Sequence, residues 1–183
     1  LPFKDLLALL SEDEKKYCFR AKATVDYVIE KLLETEVNNS EVINSKEFKE
    51  LYKDIKSYHF IRSVLAEEKN SERKNGYRNS LRILKQKIST SSEPTFRKFL
   101  KNRFIYNKSI KDRNDFIKEN PWFMILYPIC NIEKYKVIFL STKKFISPMD
   151  TFRRVPFLAY CDDKLLKDSV VFIDEFDSTK QEL

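Results

Sequence analysis

The sequence predicts a mostly α chain, with a helical region over residues 1–120 and a partial α/β segment of parallel sheet over residues 121–183. Three observations predict it. Gly76 is the single glycine among 183 residues. Tight hairpin turns lean on glycine, so its scarcity favours helices over antiparallel sheet. Apolar residues recur at helical spacing through the first two-thirds of the chain. Beyond Trp122 the character changes. The compact apolar runs Val137-Ile138-Phe139-Leu140 and Val170-Val171-Phe172-Ile173 suit strands buried on both faces, as in a parallel sheet.

In order, Ser11-Glu12-Asp13-Glu14 reads as a capping box, with hydroxyl and carboxylate each satisfying a backbone N–H of the first turn. Cys18, Ala21, Val25, Val28, Ile29, Leu32 and Leu33 then fall on one helical face, and Asn38-Asn39-Ser40 ends that helix. Phe48, Leu51, Tyr52, Ile55, Tyr58, His59 and Leu65 make a second stripe. Residues 70–76 read as a polar, charged break before a third stripe of Tyr77, Leu81, Leu84 and Ile88. Residues 89–94 read as a linker in which Ser92 caps the next helix and Pro94 sits in its first turn. That helix presents Phe96, Phe99, Leu100 and Phe104. A further one around residues 113–118 must stop before Pro121. The stretch between the two apolar runs is long enough for a crossover connection.

Lys and Arg outnumber Asp and Glu by 35 to 28, a net charge of +7. This suits an anionic partner such as nucleic acid or a membrane surface, and equally suits lysine drift in an AT-rich genome, since asparagine is also frequent. Cys18, Cys130 and Cys161 are odd in number and far apart, which argues against a disulfide framework or a zinc site and for a reducing, cytoplasmic setting. The most apolar run, residues 121–130, is too short to span a bilayer. The chain opens at Leu1 and stops at Leu183 directly after a strong motif, so it reads as a piece of a larger protein.

That motif is Val170-Val171-Phe172-Ile173-Asp174-Glu175-Phe176-Asp177. Acids at the carboxyl end of a buried strand stand where open α/β sheets bind ligands. Carboxylate oxygens suit Mg²⁺ that also holds substrate phosphates. The segment resembles motif II, the Walker B strand, of DEAD/DEAH-like superfamily-2 helicases and translocases. By that resemblance Asp174 holds Mg²⁺ of a bound Mg·ATP, Glu175 is the catalytic carboxylate for water attack, and Asp177 couples nucleotide state to the rest of the motor. Upstream, Val137-Ile138-Phe139-Leu140-Ser141-Thr142-Lys143 is similar to the family's strand followed by a threonine that grips the nucleic-acid backbone, which implies Thr142 and Lys143 as phosphate contacts. No Gly-x-x-x-x-Gly-Lys phosphate loop occurs in these residues. The resemblance therefore implies that ATP and Mg²⁺ belong to an intact parent, and that this chain is inactive alone.

Residues 97–118 are the most basic stretch, with eight cations against Asp112 and Asp115 and with Phe99, Phe104, Tyr106 and Phe116 interleaved. Cations with aromatics suit unpaired nucleic acid, and Lys101 and Arg103 are its candidate contacts; an amphipathic helix pair with a solvated face is the plainer account. His59, the one histidine, lies on an apolar stripe and reads as a packed, hydrogen-bonded side chain; Trp122 and its neighbours read as core. Asp162-Asp163 reads as a turn. The alternative to a motor fragment is a helical protein-interaction module of a large multidomain protein, such as a bacterial secreted effector, in which Asp174-Glu175 is non-catalytic. A third reading is a nucleic-acid-binding helical domain without enzyme activity.

Overall fold

The computed structural model describes residues 25–130 throughout, together with Ser11, Phe152 and the backbone of four short strands. The strands are β1 (Cys18–Arg20), β2 (Val137–Phe139), β3 (Pro148–Met149) and β4 (Leu158–Ala159). The chain divides into two compact units, one of Ala23–Leu126 and one of Leu1–Lys22 with Tyr127–Leu183. The described residues are mostly helical.

The Ala23–Leu126 unit begins with α1 (Val25–Glu34), whose Val28, Ile29 and Leu32 are buried. Cys18, expected on this helix, instead lies in β1, where it pairs with Val137 of β2. Asn39 caps α2 (Ser40–Asn44), its side-chain oxygen accepting from Val42 N–H at 3.1 Å. Ser45 caps α3 (Lys46–Glu67) by accepting from Phe48 N–H at 3.2 Å. Helix α3 buries Phe48, Leu51 and Ile55, three members of the second stripe.

The break after α3 is shorter than the polar run suggests. Glu68 Oε1 accepts from the N–H groups of Lys69 and Asn70, both at 2.9 Å, and Asn70 caps α4 (Ser71–Lys87) by accepting from Arg73 N–H at 3.0 Å. Residues 71–76 are therefore helix. Gly76 lies inside α4, because polar side chains are no obstacle to a helix whose face looks at water.

Residues 89–94 are likewise no linker. A π-helical turn, Ile88–Ser92, carries the chain from α4 into α5 (Glu93–Leu100), with Glu93 N–H donating to Ile88 O. The hydroxyls of Ser89 and Thr90 donate to Gln86 O, each at 2.9 Å, so they bond within the helix instead of breaking it. Ser92 is helical and does not cap. Its hydroxyl donates to Asp54 across the core. A second π turn, Lys101–Ile105, follows, and Asn107 at a φ of 59° ends the helical path. Asparagine tolerates that left-handed conformation better than most residues. Ser109 caps α6 (Ile110–Glu119), accepting from Asp112 N–H at 3.1 Å. The short α7 (Phe123–Leu126) closes the unit.

The core of this unit is a chain of rings. Phe48 meets Phe96 at 5.5 Å between ring centroids, Phe96 meets Trp122 at 6.4 Å, and Trp122 meets Phe116 at 6.2 Å. Trp122 is 1% exposed. Its Nε1–H donates to Asn120 Oδ1 at 3.1 Å, and Asn120 Nδ2 donates to Phe116 O at 2.8 Å. Burying a large ring with its polar atom satisfied is the favourable outcome for tryptophan. Arg97 donates to Glu93 Oε1 from Nε at 2.7 Å, and its Nη1 donates to Leu126 O, tying α5 to α7.

In the other unit β1 pairs in parallel with β2, in the register Cys18 with Val137 and Arg20 with Phe139, and β3 pairs antiparallel with β4. Of the first expected apolar run, Val137–Phe139 is a strand. The capping-box residues 12–14, the second apolar run 170–173 and Asp162-Asp163 lie outside the described residues.

Candidate nucleic-acid interface

The motor-like candidates Asp174, Glu175 and Asp177, and the phosphate candidates Thr142 and Lys143, lie outside the described residues. Of the candidate contacts, the structure places Lys101 and Arg103. Both belong to the second π turn, Lys101–Ile105, where a wider winding follows the aromatic face of α5. Lys101 is half-buried and Arg103 exposed.

Arg103 Nε donates to Glu41 Oε1 on α2, a pair in which both side chains are about half exposed. That hydrogen bond, and then the charge of Glu41, raise Arg103 above its ordinary value. Beside it lies an open groove of about 390 Å³ lined by Glu47, Thr95, Lys98, Phe99, Asn102 and Arg103. Glu41 and Glu47 offset part of the local positive charge, so this surface mixes signs.

The aromatics of residues 97–118 turn inward for the most part. Phe104 stacks on Phe116 at 4.3 Å with an interplanar angle of 6°, and Phe99 meets Phe104 edge-on at 6.2 Å. Phe116 is buried and continues to Trp122. Tyr106 alone among the four is largely exposed, at 48%. The interleaving of rings and cations therefore follows from an amphipathic pair, with rings on the core and Lys98, Lys108, Lys111 and Lys118 in water. Arg113 Nε donates to Lys108 O at 3.0 Å, closing the turn before α6.

His59 is half-buried on α3, and its Nε2–H donates to Ile29 O at 3.1 Å. A carbonyl partner only accepts, so this nitrogen carries its proton and joins α3 to α1. Among the described residues no group of His, Cys, Asp and Glu could hold a metal ion, and no helix is long and apolar enough to cross a membrane.

A second cationic surface emerges on α4, which the expected break at residues 70–76 divides in the sequence. Its outward positions Asn75, Arg78, Asn79, Arg82 and Gln86 are all exposed, whereas Tyr77, Leu81 and Leu84 are half-buried on the opposite side. The signal that marks it is the absence of any acid between Glu72 and Glu93. No family model matches the chain, and neither a curated protein nor a solved structure matches it.

Proposed function

We propose that the chain is part of an ATP-dependent helicase-like or translocase-like protein acting on nucleic acid. The observation that carries this is Asp174-Glu175-Phe176-Asp177 directly after four apolar residues. An acid pair at the end of a buried strand has the chemistry to hold Mg²⁺ through Asp174 and to orient water through Glu175. The parallel pairing of β2 with β1 supports the reading, because a motor of this kind is built on a parallel sheet and β2 is the strand that precedes Thr142 and Lys143. On this reading Thr142 and Lys143 would meet phosphate oxygens through a hydroxyl and an ammonium. The Ala23–Leu126 unit is then a helical module attached to the motor sheet. ATP and Mg²⁺ serve the intact parent, in which a phosphate loop completes the site.

Magnesium-dependent binding of a fluorescent ATP analogue to the intact parent tests this. Asp174→Asn weakens binding by tenfold or more in Mg²⁺ and has little effect in EDTA. Equal binding by wild type and variant in Mg²⁺ overturns the proposal.

The second reading is a helical protein-interaction module in which the acid pair is structural. Phe60, at 69% the most exposed large apolar side chain among the described residues, is the position at which to test it. Loss of a protein partner on Phe60→Ser, with nucleotide binding absent in the wild type, would select that reading over the motor.

A further inference from the structure

We infer that the outward face of α4 is a binding surface for duplex DNA. Residues 73–92 hold Arg73, Lys74, Arg78, Arg82, Lys85 and Lys87 and no acid. Lys85 and Lys87 are committed elsewhere, to Asp26 and Asp54. Glu68 and Glu72 flank the helix start near Arg73 and Lys74. Arg78 and Arg82 are different. They lie four residues apart on the exposed side, about 6 Å along the axis. Each is steadied by a neutral side chain one turn before it. Arg78 Nη1 donates to Asn75 Oδ1 at 3.2 Å, and Arg82 Nη2 donates to Asn79 Oδ1 at 3.1 Å. A neutral partner orients a guanidinium and leaves its charge uncompensated, so most of its fork stays available to an anion.

Chemistry selects the occupant. Phosphate oxygens take charge-assisted hydrogen bonds from Arg78 and Arg82. Asn75, Asn79 and Gln86 carry amides that both donate and accept, which matches the mixed donors and acceptors of base edges. Ile83, 54% exposed, adds an apolar contact of the kind a thymine methyl offers. The face lacks an exposed aromatic platform, and single strands are held largely by stacking. An α-helix enters the major groove of B-form DNA, whereas that of A-form RNA is too narrow for side chains to read. On α3 the exposed Lys46 and Lys53 lie four and three residues from the exposed Glu50, an acid of the kind the outward face of α4 lacks, which makes α3 an ordinary solvated surface. The inference deepens the nucleic-acid part of the proposed function and rests on α4, not on the acid motif.

Fluorescence anisotropy of the 183-residue chain with a labelled 20-base-pair DNA duplex, titrated from 50 to 200 mM salt, tests it. Arg78→Ala/Arg82→Ala should weaken binding at least tenfold at low salt. It should also flatten the salt dependence by about one to two, since each lost phosphate contact removes ~0.9 from the slope. Lys49→Ala/Lys53→Ala removes the same charge from α3 and should stay within twofold of wild type. All four side chains are exposed, and circular dichroism confirms that each variant stays folded. Duplex binding by the α4 variant within twofold of wild type, or an equal loss in the α3 variant, overturns the inference. So does tighter binding of a single strand, an RNA duplex or polyglutamate than of duplex DNA. None of these readouts uses nucleotide, so a failed ATP-binding test leaves this one intact, and the reverse also holds.

Discussion

Asp54 should be a costly polar side chain to remove from the Ala23–Leu126 unit. It is 5% exposed on α3, where it accepts from Lys87 Nζ at 2.8 Å at the end of α4 and from the Ser92 hydroxyl at 2.5 Å in the first π turn. Three successive helical segments therefore meet on one carboxylate. In Asp54→Ala the Ser92 hydroxyl, 3% exposed, loses its acceptor in a place water does not reach, a loss of about 1–3 kcal/mol. Lys87 recovers water, because its side chain is 46% exposed, so the ion pair adds at most about 1 kcal/mol. Asp54→Ala should thus destabilise by about 1–4 kcal/mol and Lys87→Met by less than about 1 kcal/mol. Hydrogen bonding to Asp54 raises Lys87 above its ordinary value, so its contribution is complete at neutral pH and is lost only as pH rises through that raised value. Urea unfolding followed by Trp122 fluorescence reports this unit, since Trp122 is the one tryptophan and is buried in it. If Asp54→Ala costs under 1 kcal/mol, or Lys87→Met costs as much as Asp54→Ala, the reasoning from burial is wrong.

Other predictions follow from single features. Gly76 lies inside α4, and a Cβ there would meet nothing within 4 Å, so Gly76→Ala should stabilise by about 0.5–1 kcal/mol in the same unfolding assay. Asn120→Ala leaves the buried Trp122 N–H without its acceptor and should cost about 1–3 kcal/mol, and Asn120→Asp should cost at least as much, because it restores that acceptor but buries a carboxylate that cannot donate to Phe116 O. Glu68 is held below the ordinary carboxylate value of 4.5, first by the Asn70 N–H. Its contribution to the turn is therefore complete above that value and lost as pH falls through the lower one, and an NMR titration should place its midpoint below 4.5.

Much of the helical unit was legible because burial follows spacing. Val28, Ile29 and Leu32, then Phe48, Leu51 and Ile55, are buried at the positions their periodicity marks, and Trp122 is in the core. The end of α6 before Pro121 follows from proline's steric demand on the residue before it. The junctions were less legible. Serines at 89, 91 and 92 read as a linker because serine favours caps and turns, yet Ser89 and Ser92 bond to Gln86 O and Asp54, and the second of these is a contact 38 residues away. Gly76 and its polar neighbours suggested a break, yet α4 continues because its inner face packs on α3. Around Lys101 and Arg103, the rings that suggested base stacking serve the core, a choice that spacing alone does not make when a stretch is both basic and aromatic. The α4 face was hidden by the same expected break, which split an acid-free run in two.

The central claim, that Asp174 and Glu175 serve a nucleotide-driven motor, is tested most directly by ATP turnover. The measurement is the hydrolysis rate of the intact parent with and without duplex DNA, for wild type and Glu175→Gln. The account predicts DNA-stimulated hydrolysis that the substitution lowers by a hundredfold or more, with Mg·ATP still bound. A folded wild type without turnover, or turnover indifferent to Glu175, would contradict it.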